Sequence, residues 1–230
     1  MPLGLLAGMA CAAGSGWPEL PDPPRSKVEW VGRDVRVNGL PSRIEHFESE
    51  LSPDEVLDHY RSRWSRSANS LVPRETSAAG WRSIAMLQDR YQMVVQVRSR
   101  SPQGSEGMLS VADFGDFKAD YLPRNWPTWP NTRVTQVTES LDGPKHSWLV
   151  SMVSDDGFEL NLRRFRDEWA RRGFALTQEH ASQPAPGVRA WVGVFDRADE
   201  AIDMTIAWRE SDRRTFISAN LVSTTQGAAR

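Results

Sequence analysis

Cysteine is almost missing from this chain of 230 residues, since Cys11 is the only one. A single cysteine excludes an intramolecular disulfide and every zinc site built from several cysteines. Long apolar runs are missing as well: no stretch approaches the roughly 20 apolar residues that span a bilayer. We therefore expect no transmembrane span in the mature chain. A basic excess is also missing, because 28 Lys+Arg face 30 Asp+Glu, so nucleic acid is not an expected partner.

Tryptophan, in contrast, is plentiful, with ten Trp against three Tyr. The chain is 39% hydrophobic and 25% charged, which is typical of a folded protein with a sizeable core. Its length fits one large domain or two small ones.

The first residues resemble an export signal. Leu3–Ala13 is an apolar stretch of suitable length, and Ala10 and Ala12 around Cys11 provide a small-x-small cleavage pattern, although the basic n-region is missing. We assign 1–26 as a signal-like leader and a Pro-rich tether. The expected location is the periplasm, with a lipoprotein anchored through Cys11 or a cytoplasmic protein as alternatives.

An internal repeat is the strongest signal in the chain. Three pairs of residues match at a constant shift: Leu57/Leu162, Tyr60/Phe165 and Trp64/Trp169. The repeat predicts an α+β fold made by duplication of a ββαβββ(β) unit, in which one helix covers one face of an antiparallel sheet. The predicted domains are a first repeat at 27–114, a Trp/Pro linker at 115–131, a second repeat at 132–223 and a disordered tail at 224–230.

Helix signals are clear in both repeats. Ser52, Pro53 and Glu55 form an N-cap, an N1 proline and a capping box, which predicts a helix over Pro53–Ser65. A second helix is predicted over Gly157–Arg172, with its apolar residues spaced three or four apart. Short alternating segments around the helices predict strands, including one over Phe174–Gln178.

Residues that carry chemistry show no recognisable pattern. The four histidines lack metal-ligand spacing, and no nucleophile elbow, phosphate loop or dinucleotide fingerprint is present. We therefore expect a protein that is not an enzyme and has no metal, cofactor or catalytic residue, with an enzyme of unknown class as an alternative.

Binding residues are predicted from aromatic and arginine side chains. Trp191 and Phe195 alternate with Val192 and Val194, so both faces of that strand are apolar and need cover, either from within the chain or from a partner. The Pro-rich linker is predicted to pack its own tryptophans into the junction. Arginines crowd the second helix, where acid–arginine pairs four apart favour a solvated, self-paired face over an anion-docking one. The candidate interaction surface comprises Trp191, Phe195, Trp126, Trp129, Arg163 and Arg166.

The layout is similar in general terms to small periplasmic accessory proteins of envelope-assembly or secretion machines, a similarity of architecture without a shared motif. It predicts a non-enzymatic exported interaction module with an unidentified protein partner in the cell envelope. Pseudo-symmetric pairing of the two repeats and a homo-oligomer are further expectations. The alternative is a small protein that holds an apolar ligand between helix and sheet, which filling of that space by Trp64, Trp169 and Trp208 would contradict.

Overall fold

The computed structural model describes residues 16–65, 73–100 and 103–224. Within them the chain is α+β, with two helices and mostly antiparallel strands that hold 58% of the residues. The predictions for the leader up to residue 15 and for the tail from residue 225 lie outside the described residues. Within the described residues, no helix is both long and apolar enough to span a membrane.

The elements follow one another in the order of two strands, one helix and four strands, and this order occurs twice. The first series is β1 (Ser26–Val37), β2 (Leu40–Ser49), α1 (Pro53–Trp64), β3 (Arg74–Ala78), β4 (Trp81–Gln88), β5 (Tyr91–Ser99) and β6 (Ser105–Asp113). The second is β7 (Thr132–Asp142), β8 (Lys145–Ser154), α2 (Phe158–Arg171), β9 (Ala175–Ala185), β10 (Val188–Arg197), β11 (Glu200–Arg209) and β12 (Arg214–Thr224). The predicted order of elements agrees with this one, while duplication as the origin of that order stays a prediction.

Contacts divide the chain into two compact units. Unit 1 comprises the chain up to Glu29 together with His46–Val111, and unit 2 comprises Trp30–Glu45 and the chain from Ala112 onward. The strand order is β3-β4-β5-β6 followed by the end of β2 in unit 1. In unit 2 the order beyond β1 is β7-β8-β12-β11-β10-β9, which leaves β9 at the edge.

Helix α1 packs against β4 and β5 in unit 1. The predicted capping box is confirmed: the Ser52 side chain accepts from the Glu55 backbone N–H, and the Glu55 carboxylate accepts from the Ser52 backbone. Val56, Leu57, Tyr60 and Trp64 are buried, as their spacing predicts. One face of α1 therefore closes the core of unit 1.

Helix α2 packs against β9 and β11 in unit 2. It begins after Gly157, which offers no side-chain cap. Asn161 ties the first turn of the helix to the preceding loop, because its Nδ2 donates to the carbonyl oxygens of Asp156 and Gly157 at 2.9 and 3.0 Å. Phe158, Phe165 and Trp169 are buried against the sheet, so this helix covers the core of unit 2.

Strand β9 is much longer than predicted. The prediction ended at Gln178, whereas the strand continues to Ala185. Its second half lacks apolar alternation, because all eleven residues of this edge strand are exposed and none has to match a core. Backbone pairing with β10, which places His180 opposite Val192 and Ser182 opposite Ala190, holds the segment extended.

Candidate functional site

The predicted surface residues Trp191 and Phe195 lie in the core of unit 2, each 1% exposed. Their rings are 6.1 Å apart, and the core around them includes Phe165 and Trp169 of α2. The face of β10 that carries Trp191 is therefore covered from within the chain, which is one of the two alternatives left open by the sequence, and Trp191 and Phe195 do not belong to an exposed interaction surface. The other face of β10 is open, since Val192 is 43% exposed.

Gly193 explains how Trp191 lies so close to the sheet. A Cβ atom at Gly193 would stand 2.2 Å from the Trp191 ring, a distance that no side chain tolerates. Glycine at this position lets the ring lie over its own strand. No periodicity in the sequence indicated this packing.

The predicted linker tryptophans also belong to the core of unit 2. Trp126 is buried, and its ring lies 5.5 Å from that of Trp169 in an edge-to-face arrangement. Trp129 is half-buried and meets Phe165 edge to face at 4.7 Å. The linker thus packs its tryptophans on α2, as a chain with two Trp-Pro pairs favours.

The two predicted arginines of α2 differ in their surroundings. Arg163 is exposed, whereas Arg166 is half-buried and forms an ion pair with Glu179 of β9. Of the predicted pairs four residues apart, Glu168–Arg172 forms, at 2.5 Å. Glu159 instead pairs with Arg189 at 3.2 Å, and Arg171 pairs with Glu168. Among the described residues, the expected pairing within α2 is thus found only around Glu168, while Glu159 and Arg166 pair with β10 and β9.

Glu179 is a residue that the sequence reasoning missed. Its carboxylate accepts a hydrogen bond from Trp191 Nε1 at 2.8 Å and pairs with Arg166. The Arg166 guanidinium also lies over the Trp191 ring, 5.3 Å from its centroid. Two candidate side chains, from α2 and β10, therefore meet at one carboxylate of β9, which fixes the edge strand to the body of unit 2.

The outer edge of β9 carries unpaired backbone groups. Its register with β10 is continuous from Gln178 to Ser182, with irregularities on either side. Edge strands are usually protected by shortness, charge or proline. Here Pro184 lies beyond the regular stretch. The one carboxylate of β9 belongs to Glu179, and it is already bound by Arg166 and Trp191. Five successive residues thus present an extended backbone that has no neighbouring strand on the outer side among the described residues.

A shallow cavity of about 470 Å³ lies on the open sheet face beside this edge. Its apolar lining comes from Leu149, Val192 and Val194, and Leu149 is 41% exposed. Gln178 and His180 of β9 line the same cavity. The edge backbone and a partly apolar surface are therefore contiguous in unit 2.

A second cavity in unit 2, of about 400 Å³, lies between the linker and the C-terminal end of α2. Arginines dominate its polar lining, and aromatic rings form much of the rest: the charged residues are Arg124, Arg171, Arg172, Arg197 and Glu200, and the rings are Trp126, Trp169 and Phe174. The Arg172 guanidinium lies 5.1 Å from the Trp169 ring centroid, and that of Arg197 lies 4.3 Å from the Phe174 centroid. We call this the arginine cavity.

Two buried donors beside the arginine cavity are unsatisfied. Nε1 of Trp126 and Nε1 of Trp169 have no hydrogen-bond partner among the described residues. A buried donor without an acceptor costs about 1–3 kcal/mol, so such groups are rare in folded proteins. Both donors belong to residues that line the arginine cavity.

Glu139 is a buried carboxylate outside these sites, 9% exposed. Lys118 Nζ and His146 Nε2 contact its two carboxylate oxygens at 3.1 and 2.9 Å. Burial raises the pKa of Glu139, but the hydrogen bonds and charges of these two residues outweigh burial, so the pKa lies below its ordinary value. Across the part of the chain that is described, no group of three or more His, Cys, Asp or Glu is arranged to hold a metal ion.

Comparisons with protein-family models, with curated proteins and with solved structures found no match for the chain.

Proposed function

We propose that this protein is a non-enzymatic exported interaction module of the cell envelope, and that β9 is the strand at which a partner protein docks. The observation that carries the proposal is the unprotected edge over Gln178–Ser182. Export rests on the leader pattern around Cys11. Mass spectrometry of the mature N-terminus tests it: cleavage near Ala12 supports export, and an unprocessed chain contradicts it.

The occupant is an extended segment of the partner. Unpaired N–H and C=O groups of an edge strand are satisfied by the backbone of another strand, which is the basis of strand addition in peptide recognition. About five paired residues extend over roughly 17 Å, at about 3.4 Å per residue. An added strand of that length gains main-chain hydrogen bonds along the whole regular stretch.

Side-chain preference comes from the open face. Residues of an added strand alternate between the two faces of the sheet, so every second side chain lies on the side of His180 and Val192. That side holds the cavity lined by Leu149, Val192 and Val194. We therefore expect apolar residues at alternate positions of the partner segment.

The packing argues against the alternative of an apolar ligand between helix and sheet. Trp64 and Trp169, on the buried faces of the two helices, are 4% and 2% exposed, and Trp208 packs against the core of unit 2. Their side chains occupy the space that such a ligand would need.

Site-specific photo-crosslinking tests the docking proposal. A photoreactive amino acid is placed at Ser182 of β9 or, as the control edge, at Ser77 of β3, in cells that make the full chain. We expect one protein crosslinked at Ser182 and not at Ser77, through a peptide with alternating apolar residues. Equal capture at both positions, or none at Ser182, contradicts the proposal, and a crosslinked product of twice the chain mass replaces it with self-association.

Substitutions in β9 test whether the partner segment pairs with the backbone of this strand or only lies near it. Successive strand residues direct their N–H groups to opposite sides, so one of His180→Pro and Ala181→Pro removes an outward N–H. The variant that keeps the wild-type melting temperature is expected to lose the Ser182 crosslink. If both proline variants unfold unit 2, the double variant Gln178→Lys, Ser182→Lys replaces them, because charged side chains on an edge strand oppose pairing. The photoreactive amino acid is then placed at Thr177. Unchanged crosslinking in the folded variants overturns the proposal.

A further inference from the structure

We infer that the arginine cavity of unit 2 binds a carboxylate attached to an apolar group. This inference concerns a second site and does not rest on the docking at β9. The cavity volume of about 400 Å³ lies within the range of small-ligand sites. Its lining combines guanidinium groups with aromatic rings, the combination that recognises an anion with an apolar body.

The charges of the cavity favour an anion. Four guanidinium groups line it, and the carboxylates paired with them are Glu168, which serves both Arg171 and Arg172, and Glu200, which serves Arg197. Arg124 is exposed and has no ion pair with any residue in the described ranges. Two positive charges therefore remain uncompensated by the neighbouring carboxylates.

The unsatisfied indoles supply the second, independent observation. Trp126 and Trp169 are 8% and 2% exposed, and both line the cavity. Their Nε1 donors lack acceptors within the described chain. A carboxylate has two oxygens that accept several hydrogen bonds, so it is the kind of group that unsatisfied N–H donors favour.

The nearby end of α2 does not oppose an anion strongly. A helix C-terminus carries a partial negative charge on its last carbonyl groups. Here the Trp169 carbonyl accepts from Phe174 N at 3.0 Å, the Ala170 carbonyl accepts from Gly173 N at 2.9 Å, and the Arg172 carbonyl accepts from Arg197 Nη1 at 2.8 Å. These bonds occupy the carbonyl groups that would otherwise repel the ligand.

The apolar part of the ligand follows from the walls. Phe174 and Leu221 line the cavity beside the two tryptophans, and no hydroxyl or amide side chain apart from Asn125 does so. A fully hydrated anion such as inorganic phosphate gains little from such walls, whereas an aryl or alkyl carboxylate buries its body against them. The same chemistry is offered by a free organic acid and by the C-terminal residue of a peptide.

Calorimetric titration of the full chain with phenylacetate tests the inference. We expect saturable binding with a 1:1 stoichiometry. The isosteric phenylacetamide, which has no charge, and inorganic phosphate are expected to bind at least tenfold more weakly. A ligand of ten heavy atoms typically binds with a Kd of about 0.1 mM, so a concentration of 10 mM is roughly 100-fold above that value. Absence of phenylacetate binding at this concentration overturns the inference, as does equal binding of the amide.

Variants assign the binding to this cavity. Trp126→Phe keeps an aromatic ring and removes one donor, so we expect about tenfold weaker phenylacetate binding, in keeping with a hydrogen bond to a charged group. Arg124→Gln changes an exposed residue and is expected to weaken binding about threefold without altering the melting temperature. Trp129→Phe and Arg163→Gln are the matched controls outside the cavity. Equal losses in the variants and their controls contradict the assignment.

Two peptides distinguish the sources of the carboxylate. Ala-Ala-Phe with a free C-terminus is compared with its C-terminal amide in the same titration. Binding of the free peptide at least as tight as that of phenylacetate points to a protein C-terminus as the ligand. Binding of phenylacetate alone points to a free organic acid.

Discussion

The two units treat their buried donors differently. In unit 1 the hydroxyl of Tyr60, at the centre of α1, donates to the Pro21 carbonyl at 2.6 Å. In unit 2 the position matched to Tyr60 is Phe165, and the neighbouring indoles of Trp126 and Trp169 have no acceptor within the described residues. Among the described residues of unit 1, the Ser105 hydroxyl is also buried and unsatisfied, but it lines none of the cavities described above.

The edge strands of the two units also differ, and again unit 2 has the groups that are less well protected. The edge strand of unit 1, β3, has five residues and begins Arg74-Glu75, with Glu75 held by Arg61 at 2.7 Å. The edge strand of unit 2, β9, has eleven residues. Short charged edges resist pairing and long ones invite it. Among the described residues, unit 1 uses its polar groups to hold itself together, whereas unit 2 leaves donors and an edge backbone without partners, and for this reason we propose unit 2 as the binding unit.

The largest expected effect tests what the units share. Tyr60→Ala and Phe165→Ala each remove a side chain that is 0% exposed, and we expect each to lower the free energy of unfolding by about 3–5 kcal/mol, since a core cavity results. Urea denaturation of the two variants measures the losses. A loss under about 1 kcal/mol in either one would show that its helix does not close a core.

A smaller effect is expected from removing the satisfied donor of unit 1, the Tyr60 hydroxyl. Tyr60→Phe removes the hydrogen bond to Pro21 and is expected to cost about 1 kcal/mol of unfolding free energy. Tyr121→Phe in unit 2 is the matched control, because Tyr121 packs on the core without a hydrogen bond to any described residue. Its expected change is within about 0.5 kcal/mol. Similar changes in both variants would remove the contrast between the units.

The helix starts offer the next comparison. Ser52→Ala breaks the capping box of α1 and is expected to destabilise by about 1 kcal/mol. Gly157→Ser adds a cap to α2 in open space, since no heavy atom lies within 4 Å of an added Cβ, and is expected to stabilise by a few tenths of a kcal/mol. Thermal unfolding followed by circular dichroism measures both. Destabilisation by Gly157→Ser would show that the start of α2 depends on glycine itself.

The smallest effect concerns pH. Hydrogen bonds from Asn131 and Arg164 lower the pKa of Asp156, at the start of α2, below its ordinary value. A lowered pKa contributes stability above the pKa of the unfolded chain, and this contribution is lost as the pH falls through the folded value. Asp156→Asn should therefore lower the melting temperature at pH 7 and approach the wild type near pH 3. A constant difference across this range would mean that the charge of Asp156 has no role.

Much of the fold could be predicted because its signals are local. The capping box at Ser52 and the three-to-four spacing on α1 and α2 lie within one or two helical turns. Strand β9 could not be predicted to its end, because the exposed edge needs no apolar alternation and is held by β10.

The site was less predictable, since its groups come from separate elements. Glu179 has no local signal, and its partners are Arg166, 13 residues earlier, and Trp191, 12 residues later. The alternation of Trp191 with Val192 indicated two apolar faces, but only the covering helix decides which one stays open. Trp126 could be predicted as a packed residue, while its missing acceptor shows only in three dimensions.

Amide hydrogen exchange most directly tests the claim that unit 2 is the binding unit. Exchange is measured on the full chain alone and with a synthetic peptide copied from the segment crosslinked at Ser182. The account predicts slower exchange within Gln178–Ser182 and unchanged exchange within Arg74–Ala78. Slower exchange in β3 on peptide binding, or unchanged exchange in β9, would contradict this account.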